Sequence, residues 1–513
     1  MPTIQPFHVR LGEALARVRE KTLVNQIVRS KDIKRADRAL LIEQKWLTPI
    51  AAGYLYFAKP EAAQDSTVLQ TQIFWPFLSQ YMKDLAGDNY CASAQNSLDL
   101  QTGRDTAPKQ MVLLTKTTGN NQLQLENGPS ILWYKNVADF PARKDVIKGV
   151  NVMPLDIALS RLGPRDFTNC RDEVVMAMRM VSFETLLKTL LEKPVLDKAG
   201  RLATVYRAMG WNNEADRLLK TFKAAGYDAI REEDIDVPPF RTPLVPVKSP
   251  RAERLRVLWS RMREPIIEGL RDVPKEPGIS IEEYLKRTES IYVADAYHSL
   301  SIEGYHVTED LIKKVMAGNW NPDQDAADAK EVDALAAKGY HEAFQAVQKS
   351  IVRIFAGEDA GVVLQRNLSD WHQAMFSPSV KAGIISASDL SGYRNKEVFL
   401  RGSTLATPSK DALMDCMEAY FDLVKNETSP EVRAVLGHFI FTYIHPYSDG
   451  NGRLGRFIMN MMLASDRIPW TVITVQTRKP YLDALEKASR DEDILPFAQF
   501  LRQQIDSSIA TLK

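Results

Sequence analysis

His445-Pro446-Tyr447-Ser448-Asp449-Gly450-Asn451-Gly452-Arg453-Leu454-Gly455-Arg456 holds one imidazole, one carboxylate, one amide, two guanidiniums and three glycines. Together these suit phosphoryl or nucleotidyl transfer. A glycine-rich turn opening a helix presents free N–H groups and the positive end of a dipole to an anion. Arg453 and Arg456 stand one turn apart on one helix face and add two cations suited to phosphate oxygens. Asp449 is a hard oxygen ligand of the kind magnesium takes. His445 is placed to accept a proton from an attacking hydroxyl.

Two apolar-periodic segments must hold this turn. Val432, Val435, Leu436, Phe439, Ile440, Tyr443 and Ile444 recur at helical spacing before it, and Leu454, Phe457, Ile458 and Met461 after it. Pro446 stops the first helix just past His445. His438, two turns earlier on the same helix, reads as a core histidine.

The stretch resembles the Fic family signature H-x-F-x-D/E-G-N-G-R-x-x-R, with Tyr447 where phenylalanine is usual. The resemblance implies transfer of AMP from ATP, with Mg²⁺, to a Ser, Thr or Tyr hydroxyl of a target protein. It makes His445 the general base and Asp449 the metal ligand. Asn451, with the loop amides of Gly450 and Gly452, would hold the α-phosphate. Arg453 would contact the phosphates and Arg456 the γ-phosphate. Three alternatives stay open: a phosphotransferase of the Doc type, which carries lysine where Gly452 stands; removal of AMP from a modified target; and a DNA-binding regulator that uses this half as a sensor.

Upstream, Ile281 to about Glu303 reads as one helix, stopped by Gly304. Its end, Ser299-Leu300-Ser301-Ile302-Glu303-Gly304, resembles the family's inhibitory motif S/T-x-x-x-E-G/N. A glutamate laid on Arg456 withholds a phosphate-binding cation. Such a pair about 4 Å apart is worth roughly 4 kcal/mol at an effective dielectric near 20, before desolvation. In relatives that also remove AMP the same glutamate orients water, so Glu303 has two candidate roles.

The segment from Ala387 to Gly402 breaks the helical pattern, and Val398 to Arg401 has strand character. It resembles the Fic flap, in which Lys396, Glu397, Val398, Phe399 and Leu400 would register the target by main-chain pairing. The stretch from His341 to Ala374 reads as helical. Met414, Met417 and Phe421 read as core, and Tyr481, Leu482, Leu485, Ile494, Phe497, Phe500 and Leu501 as closing the bundle.

The expected fold is mostly α: a C-terminal all-helical Fic bundle with a β-hairpin flap over 253–513, preceded by a winged helix over 1–60 and a small α/β, then helical, region over 61–230. Residues 231–252, with Pro238, Pro239, Pro243, Pro246 and Pro250, read as an extended linker. In the first module, helices from Val9 to Arg29 and from Lys31 to Trp46, the latter capped by Ser30, precede two short strands around Gly53. Lys31, Lys34, Arg35 and Arg38 are its candidate DNA contacts. Residues 20 to 230 resemble the AbiEi antitoxin module, on the Lys31–Phe57 helix and wing, Asn89 to Ser93 and the Pro108–Thr115 strand. That implies DNA binding and self-repression.

The 513 residues suffice for several domains. A net charge of +1 points to no partner by itself. Cys91, Cys170 and Cys416 lie far apart, which fits a reducing cytoplasm. No signal peptide, membrane-span run, Walker A loop, H-E-x-x-H or G-x-S-x-G stands in the sequence. The oligomeric state, including a homo-oligomer, stays open.

Overall fold

The structure, a computed structural model, describes residues 6–22, 26–51, 53–58, 60, 73–104, 106–125, 128–233, 235, 249–320, 332–390, 392–400 and 402–512. The chain divides into two compact units, residues 1–250 with 399–406, and residues 251–398 with 407–513.

The first unit begins with α1 (Phe7–Lys21), β1 (Ile27–Arg29), a 3-10 turn (Ser30–Asp32), α2 (Arg35–Glu43), β2 (Leu47–Ala51) and β3 (Tyr54–Phe57). The expected helix to Arg29 instead ends at Lys21, and Ile27-Val28-Arg29 pairs with Tyr54 to Tyr56 as a strand. β-branched Ile27 and Val28 favour that pairing over continued helix. Ser30 does not cap α2. Its N–H donates to the Gly53 carbonyl at 2.7 Å, and the helix starts five residues later, at Arg35. Pro49 sits on edge strand β2, where a missing N–H costs little.

Strand alternation buries both faces of this sheet. Val28, Leu47, Leu55 and Phe57 pack with Ala14, Val18 and Leu41 of the helices. Ile27, Ile50, Tyr54 and Tyr56 pack with Phe74, Phe77 and Leu78 of α3 (Phe74–Ala86). The expected wing is therefore a covered sheet, because both strand faces are apolar. Arg29 forks onto Asp84 of α3, which also accepts from Tyr54.

Next come β4 (Tyr90–Ala92), α4 (Ala94–Gln101), β5 (Gln110–Thr115), β6 (Asn121–Gln124), β7 (Ser130–Lys135), β8 (Asp145–Ile147) and β9 (Val150–Val152). Four strands form a sheet of order β4-β5-β7-β6, with β5 parallel to β7. Helices α5 (Leu155–Arg161), α6 (Asp166–Asn169), α7 (Arg171–Met180), α8 (Phe183–Glu192), α9 (Leu196–Ala208) and α10 (Asn212–Ala224) share a separate apolar core. The start of the expected linker lies along α9: Thr204 donates to the Glu233 carbonyl at 2.7 Å, and Arg207 to Glu232 at 2.9 Å. Residues 236–248, with Pro238, Pro239, Pro243 and Pro246, lie outside the described residues. Pro250 already opens a helix, a position where its missing N–H is harmless.

The second unit is a helical bundle around one core. Its helices are α11 (Pro250–Gly269), α12 (Ile281–Ile302), α13 (Glu309–Met316), α14 (Val332–Phe355), α15 (Ala360–Lys381), α16 (Leu413–Asn426), α17 (Pro430–Ile444), α18 (Asn451–Ser465), α19 (Arg478–Arg490) and α20 (Leu495–Leu512). The stretch from His341 to Ala374 is two helices, separated at Gly357 with φ +99° and restarted by Asp359, whose carboxylate accepts from the Val362 N–H. Met414, expected in the core, is 67 % exposed: it stands in the first turn of α16, ahead of the buried Cys416, Met417 and Phe421. Leu482 is likewise 39 % exposed. Tyr481, Ile494, Phe497, Phe500 and Leu501 are buried as expected.

α14 and α15 approach so closely that a Cβ on Gly339 would overlap the Met375 carbonyl. Backbone cannot yield as a side chain can. Gly339→Ala is therefore expected to destabilise this unit by about 1–3 kcal/mol, read as a lower unfolding midpoint in urea.

Candidate functional site

α17 ends where its sequence says it must. His445 takes the left-handed conformation, φ 53° and ψ 60°, and its N–H donates to the Phe441 carbonyl. Pro446 follows and has no N–H to continue the ladder. The ring Nδ1 lies 3.3 Å from the Thr442 carbonyl. A carbonyl can only accept, so in the neutral ring Nδ1 carries the proton and Nε2 keeps its lone pair. Burial pulls this imidazole down to about 4, so the ring is neutral at pH 7. The arrangement is that of a base.

α18 begins at Asn451 after Gly450, which holds φ +85°. Phe376 occupies the room above Gly450: a Cβ there would meet its ring at 2.7 Å. No side chain caps α18. By contrast Ser280, Thr308, Asp359 and Ser429 each cap the helix that follows. An uncapped first turn leaves N–H donors for an anion.

Asp449 is an exposed carboxylate whose oxygens accept from the Gly450 N–H at 2.6 Å and from Arg453 at 3.2 Å. Arg453 is only 1 % exposed, its guanidinium lying 5.1 Å from the rings of both Tyr305 and Phe376. Its Nε has no hydrogen-bond partner. Asn451, expected on a phosphate, has its amide committed elsewhere. Its oxygen accepts from the Tyr447 N–H at 3.0 Å, and its nitrogen donates to the Tyr447 carbonyl at 2.8 Å. A buried amide satisfies itself on the nearest backbone, so Asn451 shapes the loop here.

Ser299, Glu303 and Arg456 come together. Arg456 donates to the Ser299 hydroxyl at 2.8 Å, the Ser299 carbonyl at 3.0 Å and Glu303 Oε1 at 2.7 Å. Burial alone would weaken the Arg456 cation, but Glu303 more than offsets it and holds its pKa above the ordinary value. The same Glu303 oxygen fills the space where a Cβ on residue 452 would stand. Gly452 therefore lets a carboxylate reach the first turn of α18. Gly304, with φ +91°, ends α12 beside it.

Lys31, Lys34 and Arg35 are exposed and Arg38 half-buried on the first unit. In the flap segment, Lys396 and Glu397 are exposed, but Val398 to Leu400 form no strand. A single bridge pairs Phe399 with Ala406, and the Thr407 hydroxyl donates to the Val398 carbonyl. A lone two-arm ribbon has no third strand to regularise it. Arg401 lies outside the described residues.

Sequence reasoning missed Tyr305, Phe376, His372 and Arg394. His372 stacks on Tyr447 with ring centroids 3.9 Å apart. Arg394 is buried and binds the His445 carbonyl. No local pattern marks these residues. The one available signal was Gly392-Tyr393-Arg394, a cation inside a turn that already looked functional. His438 is a core residue, with Nε2 2.7 Å from the Tyr481 hydroxyl.

Residues 365–463 match the family model described as the Fic/DOC family. The chain contains a Fic domain. Two curated relatives named protein adenylyltransferase Fic share its sequence: that of Culex quinquefasciatus is 27 % identical over 222 residues, covering 42 % of this chain and 41 % of the relative. That of Nematostella vectensis is 26 % identical over 224 residues, covering 42 % and 48 %. The chain thus spans less than half the length of these relatives. A solved Fic-1 structure from C. elegans aligns at 15 % identity and a TM-score of 0.37, covering 68 % of this chain and 98 % of that one. Among the described residues no helix is long and apolar enough to cross a membrane.

Within the Fic domain three imidazoles stay neutral because they are buried: His372 at about 4, His438 at about 3 and His445 at about 4. Unfolded, each titrates near the ordinary 6.5. The unfolded chain then binds protons that the fold refuses, so stability is full above 6.5 and falls as pH drops toward 4. Between about pH 7.5 and 5.5 the three together should remove on the order of 4 kcal/mol. Urea unfolding at both values checks this, and His438→Gln should reduce the difference.

Proposed function

We propose that this protein is an autoinhibited protein adenylyltransferase, which moves AMP from ATP to a hydroxyl of a target protein or of itself. The observation that carries the reading is the position of the Glu303 carboxylate. It lies 2.7 Å from Arg456 and against the uncapped first turn of α18, so an anion already occupies the place that a phosphate would take. The relatives named protein adenylyltransferase Fic support the chemistry.

In this reading ATP lays its phosphates along the start of α18. The N–H groups of that turn and the cations of Arg453 and Arg456 balance their charge. The unpartnered Nε of Arg453 suits that role. Asp449 is open enough to hold magnesium, and among the described residues no three His, Cys, Asp or Glu side chains form a metal cage. One carboxylate completed by phosphate and water is a normal magnesium site, and the ion would neutralise phosphate charge. The target hydroxyl gives its proton to His445 Nε2, its oxygen bonds to the α-phosphorus, and the bond to the β-phosphate oxygen breaks, releasing pyrophosphate. Lys396 to Leu400 would register the target chain. Glu303, while on Arg456, displaces the terminal phosphate and misaligns the nucleotide, a fault that costs orders of magnitude in rate.

A second role rests on the exposed cations Lys31, Lys34 and Arg35, with Arg38 behind them, around the start of α2. Both faces of the neighbouring sheet are covered, so DNA would be met by this helix start and not by a wing. That suits backbone phosphates at a helix N-terminus.

Glu303→Gly should raise self-modification at least tenfold, seen as added AMP in intact mass after incubation with ATP and magnesium. His445→Ala in that background should abolish it. Unmodified protein in the Glu303→Gly variant would sink the proposal, and added phosphate in place of AMP would make it a phosphotransferase. For the second role, a duplex from its own promoter region should bind at about 50 mM salt. Exchanging Lys31, Lys34, Arg35 and Arg38 for glutamate should weaken that binding more than tenfold in a gel-shift titration.

A further inference from the structure

We infer that Arg394 is a positioning residue for His445, tying both arms of the flap base to the turn that carries the base. This rests on the transferase reading above. Arg394 is 4 % exposed. Its Nε donates to the His445 carbonyl at 2.7 Å, Nη1 to the Lys396 carbonyl at 2.8 Å, and Nη2 to the Pro408 carbonyl at 2.6 Å and the Ile444 carbonyl at 3.4 Å. Its own N–H donates to the Pro446 carbonyl at 2.8 Å. One residue thus joins three stretches far apart in sequence: the start of the flap, its return at Pro408, and the catalytic turn from Ile444 to Pro446.

The chemistry explains why an arginine stands there. The end of α17 leaves carbonyls with no helical donor, and a cation is favoured at that negative end. His445 takes the left-handed conformation, and the Arg394 side chain meets its carbonyl. A lysine presents one point of charge, whereas a guanidinium spreads five N–H donors over a rigid plane. Burying a cation among carbonyls, with no carboxylate bonded to it, carries a desolvation cost that burial signals in the lowered pKa of Arg394. Apolar packing would hold a structural turn at less cost. What the guanidinium adds is registry: a target strand paired to the flap is held at a set distance from Nε2.

Three charged side chains act on His445 through their fields: Arg394 from the flap base, Glu303 from the end of α12 and Asp449 from the loop. Arg394 disfavours the imidazolium, and the two carboxylates favour it. Removing Arg394 charge should therefore raise the pKa of His445.

The test uses the full chain in the Glu303→Gly background and compares Arg394→Gln and Arg394→Lys. Arg394→Gln should slow self-modification at saturating ATP about a hundredfold, with half-saturating ATP changed less than threefold. Its rate should fall off on the acid side at a higher pH than in the parent, whereas Arg394→Lys, which keeps the charge, should be slowed without that shift. Hydrogen exchange over 392–398 and 443–447 should quicken in both variants. That exchange is read without activity: a parent that transfers no AMP defeats the transferase reading, and unchanged exchange defeats the tie. A rate within threefold of the parent, or a loss confined to ATP affinity, also overturns the inference. If Arg394→Gln does not fold, Arg394→Lys is judged by the same rate and exchange limits.

Discussion

The pair between Glu303 and Arg456 depends on one unmet need, an uncapped helix start that wants negative charge. In this unit Ser280, Thr308, Asp359 and Ser429 are each spent on the first turn of a helix. α18 begins with Gly450 and Asn451 and spends none, because Asn451 is turned back onto Tyr447. The field of the free N–H groups adds to two buried guanidiniums, and something anionic has to balance it. At rest that balance is a carboxylate brought from the end of α12. In the proposed reading, the inhibitory contact and the substrate site are one electrostatic need met in two ways.

Around that need the structure spends its polar groups on shape. Asn451 closes the loop on Tyr447, His372 stacks on the Tyr447 ring, and Tyr305 and Phe376 sandwich Arg453. Ser299 supplies two acceptors that aim the Arg456 fork. One turn further back Asp295, on the same face of α12 as Ser299, accepts from Tyr340 and Trp470 in the core. Buried polar groups that are each satisfied hold a single arrangement better than apolar packing, at a cost in desolvation. The proposed site for a flexible polyphosphate would need its donors fixed in advance, and such rigidity would serve it.

Much of the second unit was legible in the sequence. The helix from Ile281 stops within a residue of the expected end because Gly304 alone accepts the left-handed turn there. α17 and α18 meet at the expected loop, since Pro446 and Gly450 admit few other paths. The first unit was less legible. Ile27-Val28-Arg29 was read into a helix because its partner strand, Tyr54 to Phe57, lies far along the chain. The hairpin looked like a wing because alternation shows that each face is apolar but not that α3 will cover the second one. Met414 shares the helical period of Met417 and Phe421, but it stands in the first turn of α16, where the period does not say what covers it.

The sequence by itself determined the chemical groups and the turns that gather them: an imidazole, a carboxylate, a glycine-flanked helix start and two cations, all within one local segment. Local spacing and the backbone limits of proline and glycine act over a few residues, so they can be read from the chain directly. The motif already set Glu303 against Arg456, and only the tertiary structure decided that it arrives through the gap left by Gly452. It also decided that Asn451 turns inward and that Arg394 holds the His445 carbonyl from the flap base. Those outcomes depend on where separate helices cross and on which buried donors are left without partners, and packing settles that only once the whole core has closed.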